Sequence, residues 1–171
     1  IADRAKISSL GSILLNAQQN YHVCMIVGAQ GVGDVAVAAA VGISDVHGSA
    51  TARVGQQAVV EAGGAVELQA NTDNHLELVT FVPVVAATGG GGLAFSFGAA
   101  SSSADVSTSP QAEIKAGRIQ LAALNQSHFA TQSIANGFLV APSGVAGVGL
   151  SVALSDYDTY AKTQADGKLV S

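Results

Sequence analysis

The stretch Ala58-Val59-Val60-Glu61-Ala62-Gly63-Gly64-Ala65-Val66-Glu67-Leu68-Gln69-Ala70 reads as a strand, a glycine turn and a second strand, and the chain writes it more than once. It returns 54 positions later as Ala112-Glu113-Ile114-Lys115-Ala116-Gly117, then, one residue short, as Arg118-Ile119-Gln120-Leu121-Ala122-Ala123. About 53 positions upstream, Ile7, Ser9, Ile13, Leu15 and Ala17 stand for Val60, Ala62, Val66, Leu68 and Ala70. The structural repeat positions are therefore Val60, Ala62, Gly63, Val66, Leu68 and Asn71 in one copy, and Ile114, Ala116, Gly117, Ile119, Leu121 and Asn125 in the next. Self-similarity at a fixed period marks repeat architectures, in which one unit buries its apolar face only when a neighbour stacks on it.

The segments between the copies recur as well. Val35, Val37, Ala39, Val41 and Ile43 match Ala146, Val148, Leu150, Val152 and Leu154 at a shift of 111, with Leu93, Phe95 and Phe97 filling the middle copy. The chain thus divides into degenerate units with a period of about 53–57 residues, long for a solenoid repeat. They are a partial unit 1–33, units 34–91 and 92–148, and a partial unit 149–171. All belong to one segment, 1–171, expected to continue in a longer protein.

Composition narrows the classes. The 171 residues are 49% hydrophobic and mean hydropathy is +0.40, which excludes an ordinary disordered segment. Only 11% of residues are charged, against the usual quarter, and alanine and 20 glycines dominate. A core of Ala and Val needs closely spaced backbones. Polar residues and glycines interrupt every apolar run, so no transmembrane helix is expected, and Ile1 to Lys6 has no apolar core behind its charges as a leader would. A net charge of −5 with seven scattered basic residues excludes nucleic acid as a partner and argues against an anionic-membrane anchor. The single cysteine, Cys24, sits in an apolar run, reads as a buried inert thiol, and forms no internal disulfide.

Period-2 alternation runs through Val35 to Ile43, through Leu76, Leu78, Thr80, Val82 and Val84, and through Leu93, Phe95, Phe97 and Ala99; one face of each strand points inward and the other outward. The β-branched neighbours of Ala38-Ala39-Ala40 argue against a helix there. Turn signals recur at Gly31 to Gly33, Gly48, Gly55, Gly63-Gly64, Asn71 to Asn74, Gly89 to Gly92, Pro110, Gly117, Asn125, Asn136-Gly137, Pro142 to Gly144 and Asp166-Gly167. Short strands between such punctuation make the chain all-β, either a sandwich or a solenoid. The copies favour the solenoid. A unit of this length exceeds a coil of roughly 20 residues, so two or three coils per unit, seven or eight in all, and a rod of about 35 to 40 Å are expected. Asn71 and Asn125 read as stacked corner residues.

Residues that carry chemistry are dispersed. His22, His47, His75 and His128 lie too far apart for a local ligand set, and the period makes His75 and His128 occupants of one column at a solvated turn. No nucleophile elbow is present, and Gly28 to Gly33 lacks the Lys-Ser/Thr ending of a phosphate loop. Gly31-Val32-Gly33-Asp34 resembles one turn of a calcium-bound β-roll but is not tandemly repeated, and Asp156 and Asp158 offer only two carboxylates on one face. No catalytic residue, metal site or cofactor is therefore assigned. The enzymatic alternative is a polysaccharide-cleaving β-helix using a pair among Glu61, Glu67, Glu77, Glu113, Asp105, Asp156 and Asp158. A β-sandwich binding module is the other alternative.

Gly-Val-Gly followed by alternating small and β-branched residues, then Ala-x-Val-x-Ala-Gly-Gly-x-Val-x-Leu-x-Ala, resembles the repeats of large secreted bacterial adhesins, the filamentous haemagglutinin-like and leukotoxin-type filamentous adhesins and autotransporter passenger domains. The resemblance runs from about Ala5 to Leu169; Gly117-Arg118 in place of the double glycine, and Pro83 inside a strand, depart from it. It implies a right-handed parallel β-helix, secreted to the bacterial cell surface, with a structural, adhesive or fibre-forming role and no catalytic residues. The implied partners are neighbouring coils or identical protomers stacked end to end, and a host or cell-surface glycan or protein.

Overall fold

A computed structural model describes residues 1–139 and 147–171, and these are built of nine strands with no helix among them. The strands are β1 (Lys6–Ser9), β2 (Ile13–Gly28), β3 (Gly31–Val54), β4 (Val59–Ala62), β5 (Ala65–Thr108), β6 (Glu113–Lys115), β7 (Arg118–Leu139), β8 (Gly147–Ala165) and β9 (Lys168–Val170). Every pairing is parallel. The short strands form one ladder in the order β1-β4-β6-β9, with Ile7, Val60, Ile114 and Leu169 side by side.

The long strands form a second sheet around β5. Its first half lies between β2 and β7, so that Ile13, Val66 and Ile119 share a rung, as do Leu15, Leu68 and Leu121. Its second half lies between β3 and β8. Ile13 pairs with Val66 and Gly90 with Gly147, a step of one whole unit in each case, so each unit contributes a single rung. The expected two or three coils per unit, and with them the coil number and rod length, are corrected by this register. Strands β2, β3, β7 and β8 run for 16, 24, 22 and 19 residues and β5 for 44. The expectation was about five for each.

The extra length comes from residues that carry turn chemistry but lie in extended chain. Gly31 to Gly33, Gly48, Asn71 to Asn74, Gly89 to Gly92 and Asn125 all lie inside strands, as does the backbone at Asn136-Gly137. Breaks occur at Gly55, Gly63-Gly64, Pro110, Gly117 and Asp166-Gly167, while the turn expected at Pro142 to Gly144 falls outside the described residues. Among the described residues, three that are not glycine take a left-handed backbone, Arg4, Gln57 and Gln111 at φ of 59°, 57° and 64°, each two residues ahead of β1, β4 or β6. That conformation costs an L-residue roughly 1–2 kcal/mol. Here the side chains join in a column: Arg4 Nε donates to Gln57 Oε1 at 3.1 Å, and Gln57 Nε2 donates to Gln111 Oε1 at 3.3 Å.

β5 doubles back on itself. The bend falls near Thr88, whose hydroxyl donates to the Asp34 carbonyl at 2.6 Å, beside the register irregularity between Gly33 and Val35. Inner side chains of the two halves then meet across the interior, Asn74 with Ser102 and Val82 and Val84 with Ala94. One wall is large: Val66, Leu68, Leu76, Leu78, Val82 and Val84 are at most 1% exposed. The other is small, built from Ala36, Ala38, Ala40, Ala50, Ala52, Ala94 and Ala104. Each fully buried Leu or Val contributes about 1.5–3 kcal/mol by leaving water. The small wall lets the two walls approach closely, and a Cβ on Gly42 would sit 2.5 Å from Thr80 Oγ1 and 3.1 Å from Leu78 Cδ1.

This division fixes which side of each strand points in. Leu76, Leu78, Thr80, Val82 and Val84 face inward. Val35, Val37, Val41 and Ile43 face outward at 74%, 80%, 58% and 61% exposure, because the neighbouring small residues occupy the narrow interior. Replacing Gly42 by Leu should therefore lower stability in urea by about 1–3 kcal/mol. Ile43→Thr, one residue away on the outer face, should change it by less than about 0.5 kcal/mol.

Candidate functional site

Parallel, in-register pairing converts each outward position into a column of equivalent side chains, so any site on this molecule is a surface of columns. On the face of β2, the first half of β5 and β7, the columns are mostly polar. Asn20, Asp73 and Gln126 form one, and His22, His75 and His128 the next. The imidazole centroids are 4.4 and 5.0 Å apart, at interplanar angles of 20° and 16°. The histidine column expected from the period exists and includes His22, but it lies in mid-strand instead of at a turn. Stacked rings offer their edges to solvent. Among the described residues no group of three or more His, Cys, Asp or Glu is placed to hold a metal ion. Cys24, expected to be buried, is exposed on this face beside Glu77.

The opposite face, on β3, the second half of β5 and β8, carries four apolar ranks: Val37-Gly91-Val148, Ala39-Leu93-Leu150, Val41-Phe95-Val152 and Ile43-Phe97-Leu154. Val148, Leu150 and Leu154 are 66%, 56% and 49% exposed. Beyond them the face turns acidic, with Asp45, Ala99 and Asp156 in one rank and His47, Ser101 and Asp158 in the next. His47 Nδ1 lies 2.6 Å from Ser101 Oγ, and its Nε2 lies 3.0 Å from Asp45 Oδ1.

A polar layer also crosses the interior. Gln19, Thr72 and Asn125 share one inward column, Tyr21, Asn74 and Ser127 a second, and Gly48, Ser102 and Thr159 one facing them. Asn74 Nδ2 donates to Ser102 Oγ at 2.6 Å, and Asn125 Nδ2 donates to the carbonyls of Ser102 at 2.7 Å and Tyr160 at 3.0 Å. Burial pushes the Tyr21 phenol up, so it stays protonated. Asn125 therefore works inside the fold, next to Thr72, while Asn71 points outward opposite Leu124. The expected Asn71–Asn125 stack is corrected: the ladder pairs Thr72 with Asn125, and one residue of slip reverses the face. Thr72 and Asn74, read from the sequence as part of a turn, and Ser102, read as a solvated strand edge or turn, are instead buried in mid-strand; polar residues at inward parity are the signal for them.

The other repeat positions assemble directly. Val60, Val66, Leu68, Ile114 and Ala116 are buried in one cluster against which Ala62, Ile119 and Leu121 pack. At the turns, Gly63 N–H donates to Ser9 O at 2.9 Å, and a Cβ on Gly117 would lie 3.4 Å from Gly64 O. The seven carboxylates considered for sugar cleavage fall on three surfaces, with Asp156 beside Asp158 on one and Glu61 beside Glu113 on another. Glu67 and Glu77 lie on the polar face, Asp105, Asp156 and Asp158 on the opposite one, and Glu61 and Glu113 on the short ladder. There, Lys115 Nζ is 3.1 Å from Glu61 and 3.5 Å from Glu113, and Lys168 Nζ is 2.8 Å from Glu113. The hydrogen bond from Lys168 holds the Glu113 carboxyl below its ordinary range, and the Glu61 carboxylate raises the Lys115 ammonium.

Comparison with known proteins finds no matching family model, no matching curated protein and no matching solved structure.

Two outcomes follow from these contacts. Ser102→Ala leaves the buried Asn74 amide without its acceptor and should cost about 1–3 kcal/mol in urea denaturation. Glu113, with its pKa lowered in the fold, adds stability above its unfolded pKa that disappears as pH falls through the folded value; Lys115, with its pKa raised, loses its contribution only in strong alkali. Thermal melts at about pH 6 and about pH 3 should accordingly show a smaller acid loss in Glu113→Gln than in the native chain.

Proposed function

We propose that this chain is a segment of right-handed parallel β-solenoid from a secreted bacterial surface protein, serving as a structural, adhesive or fibre-forming stalk. The observation that carries this reading is the in-register ladder β1-β4-β6-β9 and its long counterpart, in which equivalent positions of successive units lie side by side. One unit then corresponds to one winding. Right-handedness follows the strong preference of crossover connections between parallel strands. Repetition of one rung makes length cheap in sequence, and each added winding extends the ladders without new design. The resemblance to filamentous adhesin repeats points the same way, toward the cell surface. A stalk needs no paired carboxylates, and of the pairs this chain brings close, Glu61 and Glu113 are neutralised by Lys115 and Lys168.

Stacking on the next segment uses the open rungs at both ends. In β9, Lys168 N–H donates to Ala112 O, and Val170 O accepts from Ala116, so the alternation of a parallel strand turns the Leu169 N–H away from β6. An edge of this kind is a template for another strand. Negative-stain electron microscopy at high protein concentration should show assemblies growing along the ladder direction, and Leu169→Pro, which removes an outward donor, should shorten them. Short monodisperse particles at every concentration would overturn end-to-end assembly. Release of reducing or unsaturated sugars from common polysaccharides would replace the stalk by the enzymatic reading.

A further inference from the structure

We propose that the apolar face of β3, β5 and β8 is a lateral pairing surface for a second copy of this chain, docked sheet to sheet with the strands of the two copies antiparallel and their ladders side by side. This contact is separate from the open ends and does not depend on them.

The first argument is size. Twelve outward positions, spaced about 6.8 Å along the strands and about 4.8 Å between them, cover about 400 Å² of sheet plane. The largest apolar patch of an ordinary monomer is about 300–600 Å² in accessible surface, and side-chain relief lifts this face above its plane area. Two such faces cover about 800 Å² of plane, short of the roughly 1,200–2,000 Å² that standard interfaces bury, so one pair of chains should associate only weakly and each added winding should strengthen the contact.

The second argument is relief. The centre of the patch lies midway between Leu93 and Phe95 on the middle strand. A two-fold axis through that point, perpendicular to the strands and parallel to the ladders, reverses the strand direction and brings Phe97 of one copy over Gly91 of the other, and Leu93 over Phe95. Gly91 is the one position of the middle strand's four ranks without a side chain, a hollow between Val37 and Val148. The largest side chain of the rim thus meets the deepest recess, twice, as an isologous contact requires. Apolar sheets pack this way at about 10 Å with interdigitated side chains.

The third argument is charge, and it decides between orientations. Asp45 and Asp156 stand in the rank just past Ile43, Phe97 and Leu154. The antiparallel pair sends the two acidic ranks to opposite ends of the contact. The parallel alternative, with the two-fold along the strands, lays Asp45 of one copy on Asp156 of the other and is opposed by repulsion. The same carboxylates, with a net charge of −5, disfavour an anionic lipid surface as the occupant.

Sedimentation equilibrium tests the pairing, run in a Leu169→Pro background that weakens end stacking, with the face variants below separating the lateral contact from any stacking that remains. From about 1 to 500 µM the mass should rise from monomer toward dimer. Gly91→Leu, which fills the hollow and whose Cβ has only Val148 O nearby at 3.7 Å, should weaken dimerisation at least about tenfold, as should Phe97→Asp. Gln69→Lys on the opposite face should leave it unchanged. In a Cys24→Ser background, a mixture of Gly91→Cys and Phe97→Cys chains should form a crossed disulfide faster than either alone. A monomer mass at the top of that concentration range, a dimer indifferent to both Gly91→Leu and Phe97→Asp, no preference for the crossed disulfide, or monomers that float with phosphatidylcholine vesicles would each overturn the proposal.

Discussion

Backbone hydrogen bonds between residues one unit apart hold the rest of this structure in place. Because the strands are parallel and in register, one bond pattern stacks Ile7 on Val60, Val60 on Ile114 and Ile114 on Leu169, and gives every outward position its column. The constraint is strict in parity. Side chains alternate with a period of two, so a slip of one residue would send the Leu68 and Leu78 wall to solvent and the charged columns inward. The buried contacts of Asn74, Ser102, Thr72 and Asn125 can be made in one register only, since a slip would leave their amides and hydroxyls without partners.

The interior that this register creates is asymmetric. One wall brings Leu and Val, the other brings Ala, Gly and Ser, and the sum fits a narrow gap. Size matching across the gap explains how a chain with few aromatics and many alanines builds a close-packed core. It also explains the unusual outer face. Once the small residues of β3 and β5 are taken inside, alternation leaves Val37, Val41, Ile43, Leu93 and Phe97 with nowhere to go but out. The apolar surface is thus a direct consequence of the narrow core, and lateral pairing is a natural use for it.

Much of the ladder is legible in the residues. Positions that stack in a parallel sheet need similar size and polarity, so Val60 and Ile114, Leu68 and Leu121, and His75 and His128 declare themselves as partners. The shift of 111 that relates Val37 to Val148 is the two-rung distance through Gly91. What obscured the rest was local. Gly48, Asn71 to Asn74 and Gly89 to Gly92 carry turn chemistry yet lie inside strands, because close backbone approach and interior hydrogen bonding ask for the same small and polar residues that turns do. Turns at these points would make the strands short and give each unit two or three rungs. Carrying the spacing of Val60 and Ile114 across the glycine turn paired Asn71 with Asn125, although the one-residue shortfall before Arg118 was already visible.

Recurrence and alternation are properties of a string, so the letters alone carry the all-β class, the loose but definite period and the correspondence between units. That each unit makes one rung, that β5 folds back near Thr88 and that the valines of β3 face water follow from the packed chain alone. Alternation defines two faces but does not say which is inside. That choice is made by the width of the gap between two sheets, which belongs to no single strand and exists only once both walls have met.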